Sequence, residues 1–177
     1  MAEAMTGLKG MLEQITAFND TVQAAAAAKA QADEQAHTAE LIAQAAQMAS
    51  VAAMVETAYL VASADGSVSA EESNKIAQAV NTATSEGLGE DFCKSLVDTA
   101  AERLQNEGAD ARIADMGVVL TDADMRRAAM IFACGVAWLN RGVGTKEGLV
   151  LQALARAFDM SIHDMQKLLG QAHQAVS

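Results

Sequence analysis

An all-α fold is what the sequence predicts, and three observations predict it. Proline is absent from 177 residues while alanine supplies 40 of them, so the strongest helix breaker is missing and the strongest helix former dominates. Apolar residues recur three and four apart along most of the chain, as at Ile76, Ala79, Val80 and Ala83. Between these runs stand glycines and Ser, Thr or Asp residues at the places where helices stop and start. Aromatic residues make up only 3% against 51% hydrophobic overall, so the helices must approach closely to bury enough surface.

Taken in order, residues 1–19 read as a short amphipathic piece with Leu8, Met11, Leu12, Ile15 and Phe18 at helical spacing. Asn19-Asp20 has the form of a cap that restarts the helix. From Thr21 to Ala64 no glycine interrupts the pattern, which predicts a helix roughly 65 Å long at 1.5 Å per residue. That is more than a small domain covers, so residues 1–49 are expected to be an Ala-rich helical extension, which serves either as an oligomerisation arm or as a solvated, fraying spacer. Residues 50–177 then form the domain. Within it, Ser69 stands three residues before Glu72, the spacing of a capping box, and the next helix should begin at about Ala70. Glu86 to Gly89 ends that helix. A further one carries Phe92, Leu96, Val97, Ala100 and Leu104 and stops near Gly108. Ala109 to Val119 is a shorter helix, Thr121 to Asp124 cap the next, and Met125 to Leu139 are strongly apolar. Thr145 opens a helix with Leu149, Leu151, Leu154 and Phe158 inward, and Ser161 to Asp164 cap the last.

Charge and cysteine usage narrow the function classes. The net charge is −11, and no basic patch exists to engage phosphates, which excludes nucleic acid as a partner. An acidic surface suits solubility, cations or a basic partner. Cys93 and Cys134 lack metal-ligand spacing and lie in apolar helical contexts, as small core residues do. The start of the chain has no basic, apolar leader pattern. The longest uncharged apolar segment, residues 41–55, is too short to span a bilayer and carries Gln44 and Gln47. A soluble, cytoplasmic protein without membrane insertion is expected.

One stretch combines backbone punctuation with converging carboxylates: residues 58–72, AYLVASADGSVSAEE. Asp65-Gly66 closes an apolar helix, since glycine tolerates the left-handed conformation. Asp65, Val68 and Glu72 resemble the latter half of an EF-hand loop, but the opening ligand positions hold Val61 and Ser63, so a full calcium loop is absent. Either a capped turn with solvated acids or a partial cation site fits this corner. An offset of 76 residues brings Gly66 onto Gly142, Ser69 onto Thr145 and Glu71 onto Glu147, so the domain reads as two related helical halves. In the second corner Arg141 stands in place of the aspartate and Gly148 in place of the second glutamate.

Other arrangements are weaker. Glu34 and His37 form one Glu-x-x-His motif, but a di-iron bundle needs a second copy and further glutamates. His163 and His173 are ten residues apart on one helix. No nucleophile elbow or Walker spacing occurs. Trp138 and Tyr59 fall on apolar helical faces as core or interface anchors.

The chain resembles the TerB-like domain family linked to tellurite resistance and stress-response systems, whose pattern is an apolar helix, an Asp-Gly turn and a Glu-Glu helix start, given twice. Residues 58–72 match it closely, while residues 129–164 keep the apolar framework without the acids. The resemblance covers about residues 50–175. It implies a TerB-like helical bundle of two pseudo-repeated halves, non-enzymatic, acting by cation or protein binding. Carried over residue by residue, the family's acidic cluster falls on Asp65, Glu71 and Glu72, with a divalent cation as the candidate cofactor. Arg141 departs from the pattern: it either repels a cation or pairs with Asp65 in its place. Partners expected are a second copy of the chain and proteins of a stress-response complex. The rival expectation is a self-assembling homo-oligomeric scaffold built through the N-terminal helices.

Overall fold

Residue 55 to residue 61 are buried without a break, although no helix can bury seven consecutive side chains against a single neighbour. A helix enclosed on every side is the physical consequence, and it organises the whole domain. The computed structural model describes residues 2–84, 87–139 and 142–176, and the side chains from Asp20 to Ala175 within them. Seven helices and no strand occur among these residues: α1 (Ala2–Ala62), α2 (Ala70–Ala83), α3 (Glu90–Glu107), α4 (Ala109–Val119), α5 (Ala123–Leu139), α6 (Thr145–Ala157) and α7 (Ile162–Val176). The protein is all-α.

The chain divides into two compact units, Met1–Ala46 and Gln47–Ser177, with the boundary inside α1. In the first, helix continues through Asn19 and Asp20, so the expected restart there is corrected. Asparagine and aspartate cap a helix only when the preceding backbone leaves helical geometry, and here it does not. The amphipathic face assigned to Leu8 through Phe18 lies outside the described side chains. From Asp20 to Met48 every residue is exposed, Leu41 and Ile42 included.

In the second unit the end of α1 supplies Val55, Ala58, Leu60 and Val61 to the core. α2 packs on α3, α5 on α7, and α4 on α6. Small residues make these approaches close. At Gly117 of α4 an added Cβ would lie 2.6 Å from the carbonyl oxygen of Ala157 in α6, so the two backbones nearly touch. α5 turns Ala129, Met130, Ala133, Cys134, Val136 and Ala137 inward. Both cysteines are fully buried.

Local chemistry fixes the helix ends. Asp122 accepts hydrogen bonds from the backbone N–H of Asp124 (2.9 Å) and Met125 (3.1 Å), opening α5. Ser161 does the same for Asp164 (3.0 Å) at α7. Arg126 closes two helices at once, donating to the carbonyls of Gly117 (2.9 Å) and Leu120 (2.5 Å) at the end of α4 and of Phe158 (3.2 Å) after α6. One inward assignment is corrected. Leu149 is 60% exposed, because it lies about 200° around the helix from Leu151, which takes the core side.

α1 is also the one helix among the described residues that is long and apolar enough to cross a membrane. Reading the segment as ending at Glu56 hid this, since Glu56 is buried and apolar residues continue beyond it. The apolar end is enclosed by other helices of the second unit.

Candidate functional site

Three places in the second unit carry chemistry. The first is the acidic corner between α1 and α2. Ser69 and Glu72 form the full reciprocal cap: Glu72 Oε2 accepts from the Ser69 N–H (2.9 Å) and hydroxyl (2.8 Å), and Ser69 Oγ accepts from the Glu72 N–H (3.2 Å). Glu71 pairs with Lys75 one turn on (2.8 Å). Asp65 is exposed on the turn, next to Gly66 at φ 150°. Val61, at the opening ligand position, is buried in the core and offers no oxygen from its side chain. Asp65, Glu71 and Glu72 do not converge as a group of three ligands, and no such group occurs among the described residues. The residues therefore do not fit a preformed cation cage. Gly142, at the second corner, has φ 93°, and Arg141, on which pairing with Asp65 depends, lies outside the described residues.

The second place is a buried charge network, which the sequence reading missed. Glu56 (2% exposed) sits inside the enclosed part of α1 and Arg112 (5% exposed) inside α4. Arg112 meets the carboxylate in the fork geometry that guanidinium favours: Nε donates to Glu56 Oε1, and Nη2 donates to Oε2 at 3.0 Å. Its Nη1 donates to Glu107 (2.8 Å) and Asp115 (2.6 Å), while Arg103 adds a longer contact to Glu56 Oε2 at 3.4 Å. Hydrogen bonding to Glu56 raises the Arg112 pKa further above its ordinary value, against the opposing effect of burial. The network locks α1 to α3 and α4. A lone acid within the apolar run 51–61 was the available signal, because a buried carboxylate demands a partner.

The third place is an apolar groove bounded by α1, α2, α5 and α7. It holds a hollow of about 380 Å³ whose larger lining residues are Met54, Ile131, Phe132, Val136 and Leu139. Ala79, Ala83, Ala128, Gly135, Ala172 and Ala175 complete it. A second hollow of about 200 Å³ adjoins it, sharing Met54, Ala83 and Phe132 and adding Val51, Val55, Val80 and Thr84. No polar side chain lines the larger hollow among the described residues. Alanine and glycine on facing helices leave room for another backbone, which is how small residues serve close helix contacts. Such a surface offers no group for acid–base or nucleophilic chemistry. It suits an amphipathic helix.

Comparison with protein-family models, with curated proteins and with solved structures gives no match.

The remaining sequence candidates separate. Glu34 and His37 are exposed on α1. Trp138 donates its indole N–H to the Leu169 carbonyl (3.1 Å), and its ring lies 4.3 Å from that of His173, a packing contact between α5 and α7. Tyr59 is a core residue.

Proposed function

We propose that this chain is a TerB-like, non-enzymatic protein of a tellurite-resistance or stress-response type system, working in the cytoplasm by binding a protein partner. The resemblance of residues 58–72 supports the family part of this reading. The observation that carries the partner-binding part is the apolar groove, whose larger hollow has no polar lining side chain among the described residues. In a host that carries the gene, its removal is expected to lower tolerance of tellurite, and the wild-type chain to restore it. Unchanged tolerance after removal would count against the assignment.

A divalent cation at Asp65, Glu71 and Glu72 is the narrower form of the same reading. Binding there would have to open the Ser69–Glu72 cap and displace Lys75 from Glu71. Calorimetry with calcium, magnesium, manganese and zinc separates the two forms: sub-millimolar binding lost in Asp65→Ala favours the cation.

A self-assembling homo-oligomeric scaffold is the second reading, favoured by one observation. Leu41 and Ile42 are 51% and 65% exposed on α1, and exposed apolar side chains side by side on a helix suit association.

A further inference from the structure

We propose that a polar hollow between α2 and α3 binds a small zwitterion, an α-amino acid, with its ammonium group on Asp98 and its carboxylate on Lys94. The site is separate from the apolar groove and goes beyond the partner-binding reading, so either can stand without the other. The hollow holds about 250 Å³ and is lined by Ala70, Ser73 and Asn74 of α2 and by Lys94, Val97 and Asp98 of α3. Val97 is buried, while the four polar side chains bring one positive charge, one negative charge, a hydroxyl and an amide to a single concave surface.

Unused binding capacity and charge pattern select the ligand. Among the described residues the Asp98 carboxylate makes no ion pair or hydrogen bond, and neither the Ser73 hydroxyl nor the Asn74 amide has a hydrogen-bond partner. Lys94 stands one helical turn before Asp98 but reaches back to Glu90 instead, at 3.1 Å. Along a helix an acid placed before a lysine pairs better than one placed after it, so Asp98 is the group left over. The Glu90 and Lys94 side chains are both about half exposed, and such a pair is worth little, so Lys94 can turn to a ligand at small cost. Side chains at i and i+4 start about 5–6 Å apart, a span that suits an ammonium and a carboxylate carried on one carbon. A simple anion would meet Asp98 and a simple cation would meet Lys94; a molecule with both signs complements the two together. A second observation lies behind Asp98. Tyr59 is 9% exposed, and its hydroxyl has no hydrogen bond among the described residues, although a buried phenol normally finds a partner. Burial and then the Asp98 charge raise the Tyr59 pKa, so this unmet hydroxyl stands on the Asp98 side of the core.

The test titrates the full chain with L-alanine and follows backbone amide NMR signals. Saturable shifts are expected at residues 70–74 and 94–98, with a Kd of about 1 mM or below. Asp98→Asn keeps the shape and removes the charge that holds the ammonium group, so it should weaken binding about tenfold, the scale of a charge-assisted hydrogen bond. Lys94→Met should weaken it about threefold, as befits a more exposed contact. Circular dichroism checks the fold of each variant. Two altered probes ask the same question of the unaltered protein: N-acetyl-L-alanine lacks the ammonium group and L-alanine methyl ester lacks the carboxylate, and each should bind more weakly than L-alanine. Any of four results would overturn the proposal: no saturable shift at tens of millimolar L-alanine, shifts centred on other helices, an affinity unchanged by both Asp98→Asn and Lys94→Met, or either altered probe binding as tightly as L-alanine.

Discussion

Replacing Arg112 with methionine should cost far more than its single position suggests. The change leaves the Glu56 carboxylate, 2% exposed, without the two donors that Arg112 provides. Among the described residues only Arg103 remains, at 3.4 Å and with a half-exposed side chain that water screens. Breaking a buried pair from one side typically costs about 3–5 kcal/mol, because the surviving charge stays desolvated and unpaired. In a chain of this size each kcal/mol moves the midpoint by about 2–4 °C, so a fall of roughly 6–20 °C is expected. Glu56→Leu strands Arg112 less severely, since Glu107 and Asp115 still accept from it. The double change Glu56→Leu/Arg112→Met removes both charges and leaves apolar side chains of similar bulk, which is often close to neutral. Urea unfolding of the four proteins at pH 7 gives the coupling directly. The double variant should be more stable than Arg112→Met by about 2 kcal/mol or more. Additive losses, or an Arg112→Met loss within about 1 kcal/mol, would refute the view that these charges hold each other in the core.

Three further outcomes follow from the packing. Gly117→Ala places a methyl 2.6 Å from the Ala157 carbonyl oxygen, so it should lower stability by about 1–3 kcal/mol despite alanine's better helix propensity; a stabilised variant in chemical unfolding would contradict the close crossing of α4 and α6. Ser69→Ala removes one half of the reciprocal cap and should cost about 0.5–2 kcal/mol, with faster amide exchange confined to the first turn of α2; uniform exchange across α2 would argue against a local effect. Burial pushes the Cys134 thiol up to about 12 from an ordinary value of 9.0, and raises Cys93 in the same direction. Both thiols therefore stay protonated in the fold at pH 8 and should resist a thiol reagent that labels the unfolded chain. Because the unfolded thiol ionises first, stability from Cys134 is intact below pH 9 and falls as pH rises towards 12, by at most about 1.4 kcal/mol per pH unit.

What was legible in the sequence was local. Ser69, Asp122 and Ser161 cap helices through hydrogen bonds to residues two or three positions ahead, so sequence spacing alone contains that chemistry. The span of α4 was equally readable, since Gly108 and Leu120 bound an uninterrupted periodic run. Glu56 and Arg112 are 56 positions apart, and nothing local to either names the other. Asn19-Asp20 looked like a cap, but that chemistry is expressed only where the preceding backbone departs from the helix. The groove was hidden for a different reason. Ala79 and Ala83 carry the same helical spacing as the core residues Ile76 and Val80, and only the placement of α5 and α7 decides which of them faces an open hollow. Likewise Asp65, Glu71 and Glu72 read as converging carboxylates, whereas the capping box holds Glu72 and Lys75 holds Glu71. Close sequence spacing sets proximity without setting direction.

Under the proposed function, the groove rather than the acidic corner carries the activity in a cell. Tellurite challenge of a gene-deleted host, complemented by Ile131→Glu or by Asp65→Ala/Glu71→Ala, puts the two surfaces side by side at equal protein levels. The groove variant should fail to restore tolerance while the corner variant restores it. Full rescue by Ile131→Glu together with failure of Asp65→Ala/Glu71→Ala would contradict the account and return the function to the carboxylates.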